Sequence, residues 1–216
     1  MVQGGLIMKL TKYEHACFTV EKDGQLLVVD PGNYTTDFIA PDHVVGIIIT
    51  HEHADHFDQE LIASIVDKNP SAVIIGDTSI TSAIEAFPTK VVSSGSTLTV
   101  GPFSLEFFGG THATIHDTYP VPTNLGVLIN DLLYYPGDSF YIPNGRSIDT
   151  LALPVAAPWL KINETIDFLL AIRPRAAFPT HDAVLSAPGK DLVDRLIGHA
   201  AQANEIIYAR EDTLTI

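Results

Sequence analysis

Apolar residues along this chain fall into short runs whose spacing alternates between strand and helix, and each change marks an element. Phe18-Thr-Val20 and Leu26-Leu-Val-Val29 are apolar runs separated by Asp23-Gly24, a dipeptide that accepts the positive φ angles of a tight hairpin. With a strand starting near Met8 they predict a β-meander over residues 8–31, behind a flexible leader of residues 1–7. Val44-Val-Gly-Ile-Ile-Ile-Thr50 is apolar at almost every position, the pattern of a strand covered on both faces. Leu61, Ile62, Ile65 and Val66 then recur at helical spacing until Asn69-Pro70 stops them. Ala72-Val-Ile-Ile75 predicts a further strand, and Ile80, Ala83, Ile84 and Phe87 one face of a short helix closed by Pro88.

The second half repeats this grammar. Strands are expected at Ser96–Val100, Phe103–Phe108, Leu125–Asn130 and Leu132–Tyr135, the last two joined by an Asn130-Asp131 turn. Leu151-Ala-Leu153 reads as a short buried strand, followed by a helix with Ile162, Ile166, Leu169 and Leu170 on one face and Pro174 past its end. Ala176-Ala-Phe178 leads as a strand into Pro179-Thr-His181, Leu192, Val193, Leu196 and Ile197 mark a last amphipathic helix, and Ile206-Ile-Tyr208 closes a sheet edge. Two rounds of meander, buried strand and helix predict an α/β sandwich with two mixed sheets inside and helices outside. No linker or low-complexity segment interrupts residues 8–216, which are therefore expected to form a single domain.

Composition narrows the function. Hydrophobic residues make up 46% and charged residues 18% of the 216 positions, with 15 Gly and 14 Pro, as in a globular chain with many connections. No stretch approaches the roughly 18–20 uninterrupted apolar residues of a membrane span, and the N-terminus lacks the basic region of a signal peptide. Cys17 is the one cysteine, so an intrachain disulfide is excluded and any metal site must use histidine and carboxylate. A cytoplasmic location fits that usage. Twelve Lys plus Arg against 26 Asp plus Glu leave a net charge of −14, a field that repels polyanions, so a small molecule rather than nucleic acid is the expected substrate.

The chemistry concentrates after the strand at 44–50. Of nine histidines, three lie in Thr50-His-Glu-His-Ala-Asp-His56. Residues two apart in an extended loop point to the same side, so His51 and His53 can present both rings to one ion, while Asp55 and His56 face a neighbouring position. Imidazole and carboxylate suit Zn²⁺, Mn²⁺ or Fe²⁺, and the lack of thiolates argues against a closed structural zinc site. Five ionisable side chains directly after a buried strand need such a purpose.

Thr50-His-Glu-His-Ala-Asp-His56 resembles the His-x-His-x-Asp-His signature of the metallo-β-lactamase superfamily, and further pieces follow in order. Asp30-Pro-Gly32 is similar to the aspartate turn that braces the metal loop, Gly110-Thr-His112 to the third histidine of one site, Tyr135-Pro-Gly-Asp138 to the bridging aspartate, and Pro179-Thr-His181 to the last histidine of the other. Glu14-His-Ala-Cys-Phe18 resembles the opening segment of the L-ascorbate-6-phosphate lactonase-like group, with Glu14 in place of a glycine. The resemblance spans Met8 to about Leu196. It implies a four-layer αββα sandwich of two mixed β-sheets and two divalent metal ions, Zn²⁺ first and Mn²⁺ or Fe²⁺ as alternatives. His51, His53 and His112 would hold one ion, Asp55, His56 and His181 the other, and Asp138 would bridge them. The implied activity is hydrolysis of a small anionic ester, lactone or phosphodiester by a metal-bridging hydroxide, with Asp55 orienting the nucleophile.

His116, four residues after His112, is a candidate acid for the leaving group. His15 has an even claim on the pocket or the core, Asp182 is a candidate to hold the His181 loop or a neighbouring imidazole, and His43 and His199 read as structural or solvent-facing. Tyr119, Tyr134, Tyr135 and Trp159 read as packing aromatics rather than substrate contacts, although Pro158-Trp159 follows a strand end on the expected active-site side. Two other classes compete with the hydrolase: an iron-dependent redox member of the same superfamily, and a metal-bound scaffold without catalysis.

Overall fold

The computed structural model describes residues 7–84 and 86–216, so the expected leader lies, apart from Ile7, outside the described residues. In the first half, β1 (Lys9–Lys12), β2 (Phe18–Lys22), β3 (Gln25–Val29) and β4 (Val44–Ile48) precede α1 (Gln59–Lys68), β5 (Val73–Gly76), α2 (Thr78–Ala83) and β6 (Thr89–Val91). In the second, β7 (Thr97–Val100), β8 (Phe103–Gly109), β9 (Leu125–Ile129), β10 (Leu133–Tyr135) and β11 (Thr150–Pro154) lead into α3 (Ile162–Ile172), β12 (Ala176–Thr180), α4 (Ala187–Ala203), β13 (Ile207–Tyr208) and β14 (Thr213–Thr215).

The strands form two seven-stranded mixed sheets, in the orders β14-β1-β2-β3-β4-β5-β6 and β13-β12-β11-β10-β9-β8-β7. The sheets mirror each other in construction. Each begins with antiparallel neighbours, through β3 in one and β10 in the other, and continues with parallel ones. Both predicted hairpin turns carry two residues at positive φ, Asp23 and Gly24 (51° and 74°) and Asn130 and Asp131 (53° and 57°), the twist that matches the flanking strands.

Alternation along the strands sends one set of side chains between the sheets and the other toward the helices. Phe18, Val20, Leu27, Val29 and Ile48 meet Phe103, Phe107, Val127, Ile129, Tyr135 and Phe178 in the central layer. Val28, Ile47, Ile49 and Ile74 pack with Ile62, Ile65 and Val66 of α1 and Ile80 of α2. Leu128, Tyr134, Leu151 and Leu153 pack with Phe168 and Leu169 of α3 and Ile197 of α4. The result is the four-layer αββα sandwich of the metallo-β-lactamase fold. No helix among the described residues is long and apolar enough to cross a membrane.

Candidate metal centre

Strand direction gathers the chemistry. β1, β3 and β4 run the same way in one sheet, and β8, β10 and β12 in the other. Their C-terminal ends carry, in turn, His15, Asp30, the His51–His56 loop, His112, Asp138 and His181. All of these but Asp30 meet at one edge of the sandwich in three groups whose nitrogen and oxygen atoms lie within 4.8 Å of one another: His51, His53 and His112; His15, Asp55, His56 and His181; and His51, His56 and Asp138.

The turns are built for this approach. A Cβ on Gly32 would stand 1.9 Å from the Asp55 carbonyl oxygen, so only glycine lets the Asp30-Pro-Gly32 turn pass against the metal loop. Gly137 sits at φ 63°, where a Cβ would also meet the Asn124 side chain. Asn124 is fully buried; its amide donates to the Pro136 carbonyl and accepts from the Asp138 amide, at 2.8 and 2.9 Å. His15, Asp30 and His181 occupy the left-handed region at φ 56°, 44° and 58°, strain that persists because the surrounding bonds over-determine those residues.

Hydrogen bonds to one ring nitrogen aim the other. His56 Nδ1 donates to Asp30 Oδ2 at 2.7 Å, while Asp30 also accepts from the amide and hydroxyl of Thr50. His51 Nδ1 lies 3.0 Å from the Thr50 hydroxyl, whose own hydrogen goes to Asp30. His112 Nδ1 donates to the Ala113 carbonyl and His181 Nδ1 to the Ala156 carbonyl. In all four rings Nε2 is thereby the lone-pair nitrogen directed into the cluster. His53 instead turns Nδ1 inward, 3.1 Å from His51 Nε2.

The donor set fits divalent ions. Nε2 of His56, His112 and His181 and Oδ1 of Asp138 are buried with no hydrogen-bond partner. They lie close to one another, His56 Nε2 at 3.3 Å from Asp138 Oδ1 and His112 and His181 Nε2 at 3.3 and 3.0 Å from Oδ2, but at angles that make no hydrogen bond. Converging lone pairs shielded from water are costly unless a cation serves them. Burial, reinforced by neighbouring rings, holds His51 well below the usual imidazole range. For His56 burial works against the charged form, yet Asp138 and Asp30 outweigh it and raise the ring well above that range; Asp138 does the same for His181. Burial pushes Asp138 upward, but His181 and His56 hold it well below the carboxylate range. Asp55, its side chain 24% exposed, stands at the mouth.

All seven residues expected as ligands come together here. His116 does not: it is exposed, belongs to none of the three groups, and its Nδ1 is engaged by Thr118 of its own turn at 2.9 Å. His43 and His199 are exposed. Asp182 steadies the His181 loop through cations rather than an imidazole: it is buried against Lys12, Lys190 and Arg210. Trp159, read as a packing aromatic on the active-site side, donates Nε1–H to Asp138 Oδ2 at 2.8 Å and stands edge-on to His112. Its place after a strand end was the available sign. Asn124 had a weaker one, an amide directly before an apolar run.

Comparison with known proteins agrees with the fold. The Beta-lactamase superfamily domain matches residues 9–181. Protein Rv0786c of Mycobacterium tuberculosis is 34% identical over 190 residues, covering 86% of this chain and 89% of its own. A UPF0173 metal-dependent hydrolase of Carboxydothermus hydrogenoformans is 24% identical over 194 residues, covering 81% and 84%. Among solved structures, the metallo-beta-lactamase fold protein YhfI of Bacillus subtilis superposes with a TM-score of 0.73 at 16% identity, covering 97% of this chain and 100% of its own.

Proposed function

The chain belongs to the Beta-lactamase superfamily domain family, and from that premise we propose that it is a metal-dependent hydrolase whose clustered side chains hold two divalent ions. The observation that carries the reading is the set of buried nitrogen and oxygen atoms without partners, turned toward common points by bonds on their far side. His51, His53 and His112 would hold one ion, Asp55, His56 and His181 the other, and Asp138 stands where it can serve both. The ions would supply a water acidic enough to act near neutral pH and a positive charge to polarise the scissile group. The relatives named as metal-dependent hydrolases support the same class.

The protein's own contribution is to fix and to shield. Asp30 and Thr50 hold the rings of His56 and His51, Asn124 holds the turn that presents Asp138, and burial keeps water from the donors until a cation arrives. Asp55, mostly buried at the mouth, would orient an attacking water. The substrate class proposed is a small anionic ester, lactone or phosphodiester, which two cations would attract. Elemental analysis after loading with Zn²⁺ or Mn²⁺ should give about two ions per chain, and a panel of p-nitrophenyl esters, lactones and bis-p-nitrophenyl phosphate should show metal-dependent turnover. Asp138→Ala should weaken both ions, since it removes the anion between two cations. One ion at most in the wild type, or unchanged metal content and activity in Asp138→Ala, would overturn the assignment.

A further inference from the structure

His15 is the sixth ring of the cluster, and unlike His51, His56, His112 and His181 it accepts rather than donates at Nδ1. It is fully buried, and its Nε2 lies 3.0 Å from Asp55 Oδ2. Its Nδ1 accepts a hydrogen bond from the backbone amide of Ala183 at 3.3 Å. A backbone amide can only donate, so the nitrogen facing it must present a lone pair. A ring with its lone pair at Nδ1 carries its hydrogen at Nε2 and gives it to Asp55. Serving a metal through Nε2 would move that hydrogen to Nδ1, where it would meet the Ala183 N–H head on; a doubly protonated ring meets the same obstacle. His56, His112 and His181 have the reverse arrangement, with Nδ1 as donor and Nε2 without a partner, and His51 likewise donates through Nδ1.

We infer that His15 is a positioning residue for the second ion, fixing Asp55 through Nε2–H and His181 through its backbone, and that it is not itself a ligand. The inference rests on the two-ion reading above. The His15 carbonyl accepts from the His181 amide at 2.9 Å, so one residue steadies two members of the same group. The ring has little freedom to do otherwise. It lies 4.0 Å from the His181 ring and edge-on to Tyr34 at 5.0 Å, centroid to centroid. The loop bearing Tyr34 is pinned in turn by Glu14, whose carboxylate accepts from the amide and hydroxyl of Thr36 at 2.6 and 2.7 Å. Glu14, the residue that departs from the glycine of the resembling segment, thus closes a clasp around His15.

Two measurements test this on the full chain. Long-range ¹H–¹⁵N NMR of the ring nitrogens, without and with Zn²⁺, should show His15 as the Nε2–H tautomer in both states, while Nε2 of His56, His112 and His181 takes on the shift of a metal-bound nitrogen. A metal-bound shift at His15 Nε2 overturns the inference. Zn²⁺ competition against a chromophoric chelator should show His15→Ala weakening the second ion by about tenfold or more with the first little changed, the usual effect of removing an outer partner. His15→Gln, which can place an N–H near the same point, should recover most of the loss. Equal weakening of both ions, or a Gln variant no better than Ala, overturns the role of His15 alone. A wild type that binds one ion sinks the two-ion reading and this role with it.

Discussion

A histidine offers two nitrogens, and what the backbone does with one decides the use of the other. Carbonyls at Ala113 and Ala156 and the carboxylate of Asp30 make ligand-type rings of His112, His181 and His56, whereas the amide of Ala183 makes a donor of His15. None of these partners is chosen by side-chain motif except Asp30. That is why spacing could mark the His51–His56 loop, and the family resemblance His112, Asp138 and His181, while His15 stayed balanced between pocket and core. His116 shows the converse, a histidine close in sequence to a site residue but exposed and outside the three groups. His116→Ala should therefore retain its metal content and keep kcat within about threefold; a fall of about 10²-fold would instead give it the leaving-group proton.

At the scale of elements, the strands with continuous apolar runs and both hairpins were legible, because burial on two faces and positive-φ turn residues leave strong local patterns. β6 and β14 were not: each has three residues, and β14 exists through pairing with β1, a contact more than 200 positions away. The last helix was found but its face misread, since Leu192 and Leu196 are 46% and 41% exposed while Ile197 is buried. The connection to β14 matters for the site, because Arg210, just before it, and Lys12 of β1 both pair with Asp182, beside His181. Burial works to raise the Asp182 carboxyl, but Lys12 and Arg210 outweigh it and lower it. A carboxylate depressed on folding adds stability above its unfolded value of about 3.9, and that stability fades as pH falls through the lower folded value. Asp182→Asn should thus cost about 3 kcal/mol at pH 7, chiefly by leaving the buried Lys12 ammonium without its carboxylate. In urea unfolding the gap from wild type should be constant above about pH 5 and close toward pH 3. A gap that widens with acid would refute the ion-pair account.

For the whole molecule, the decisive fact is that the proposed ligands come from both sheets: His51, His53, Asp55 and His56 from the end of β4, and His112, Asp138 and His181 from β8, β10 and β12. Ions bound there would tie the two halves of the sandwich at one edge, so their binding energy becomes folding energy. It would also relieve charge, since a chain at −14 gains up to four positive units from two divalent ions. Free metal at 100 times its dissociation constant stabilises the folded state by about 2.7 kcal/mol for each ion bound independently. Chelation should accordingly lower the melting temperature, and hydrogen exchange should quicken first in the loops at 51–56, 110–113, 136–139 and 180–183, on both sheets together. Trp159, the chain's one tryptophan, donates to Asp138, and its fluorescence should follow the same titration. If chelation loosened the loops of one sheet alone, or left both the melting temperature and Trp159 unchanged, the ions could not be the clasp between the halves that this arrangement of strand ends requires.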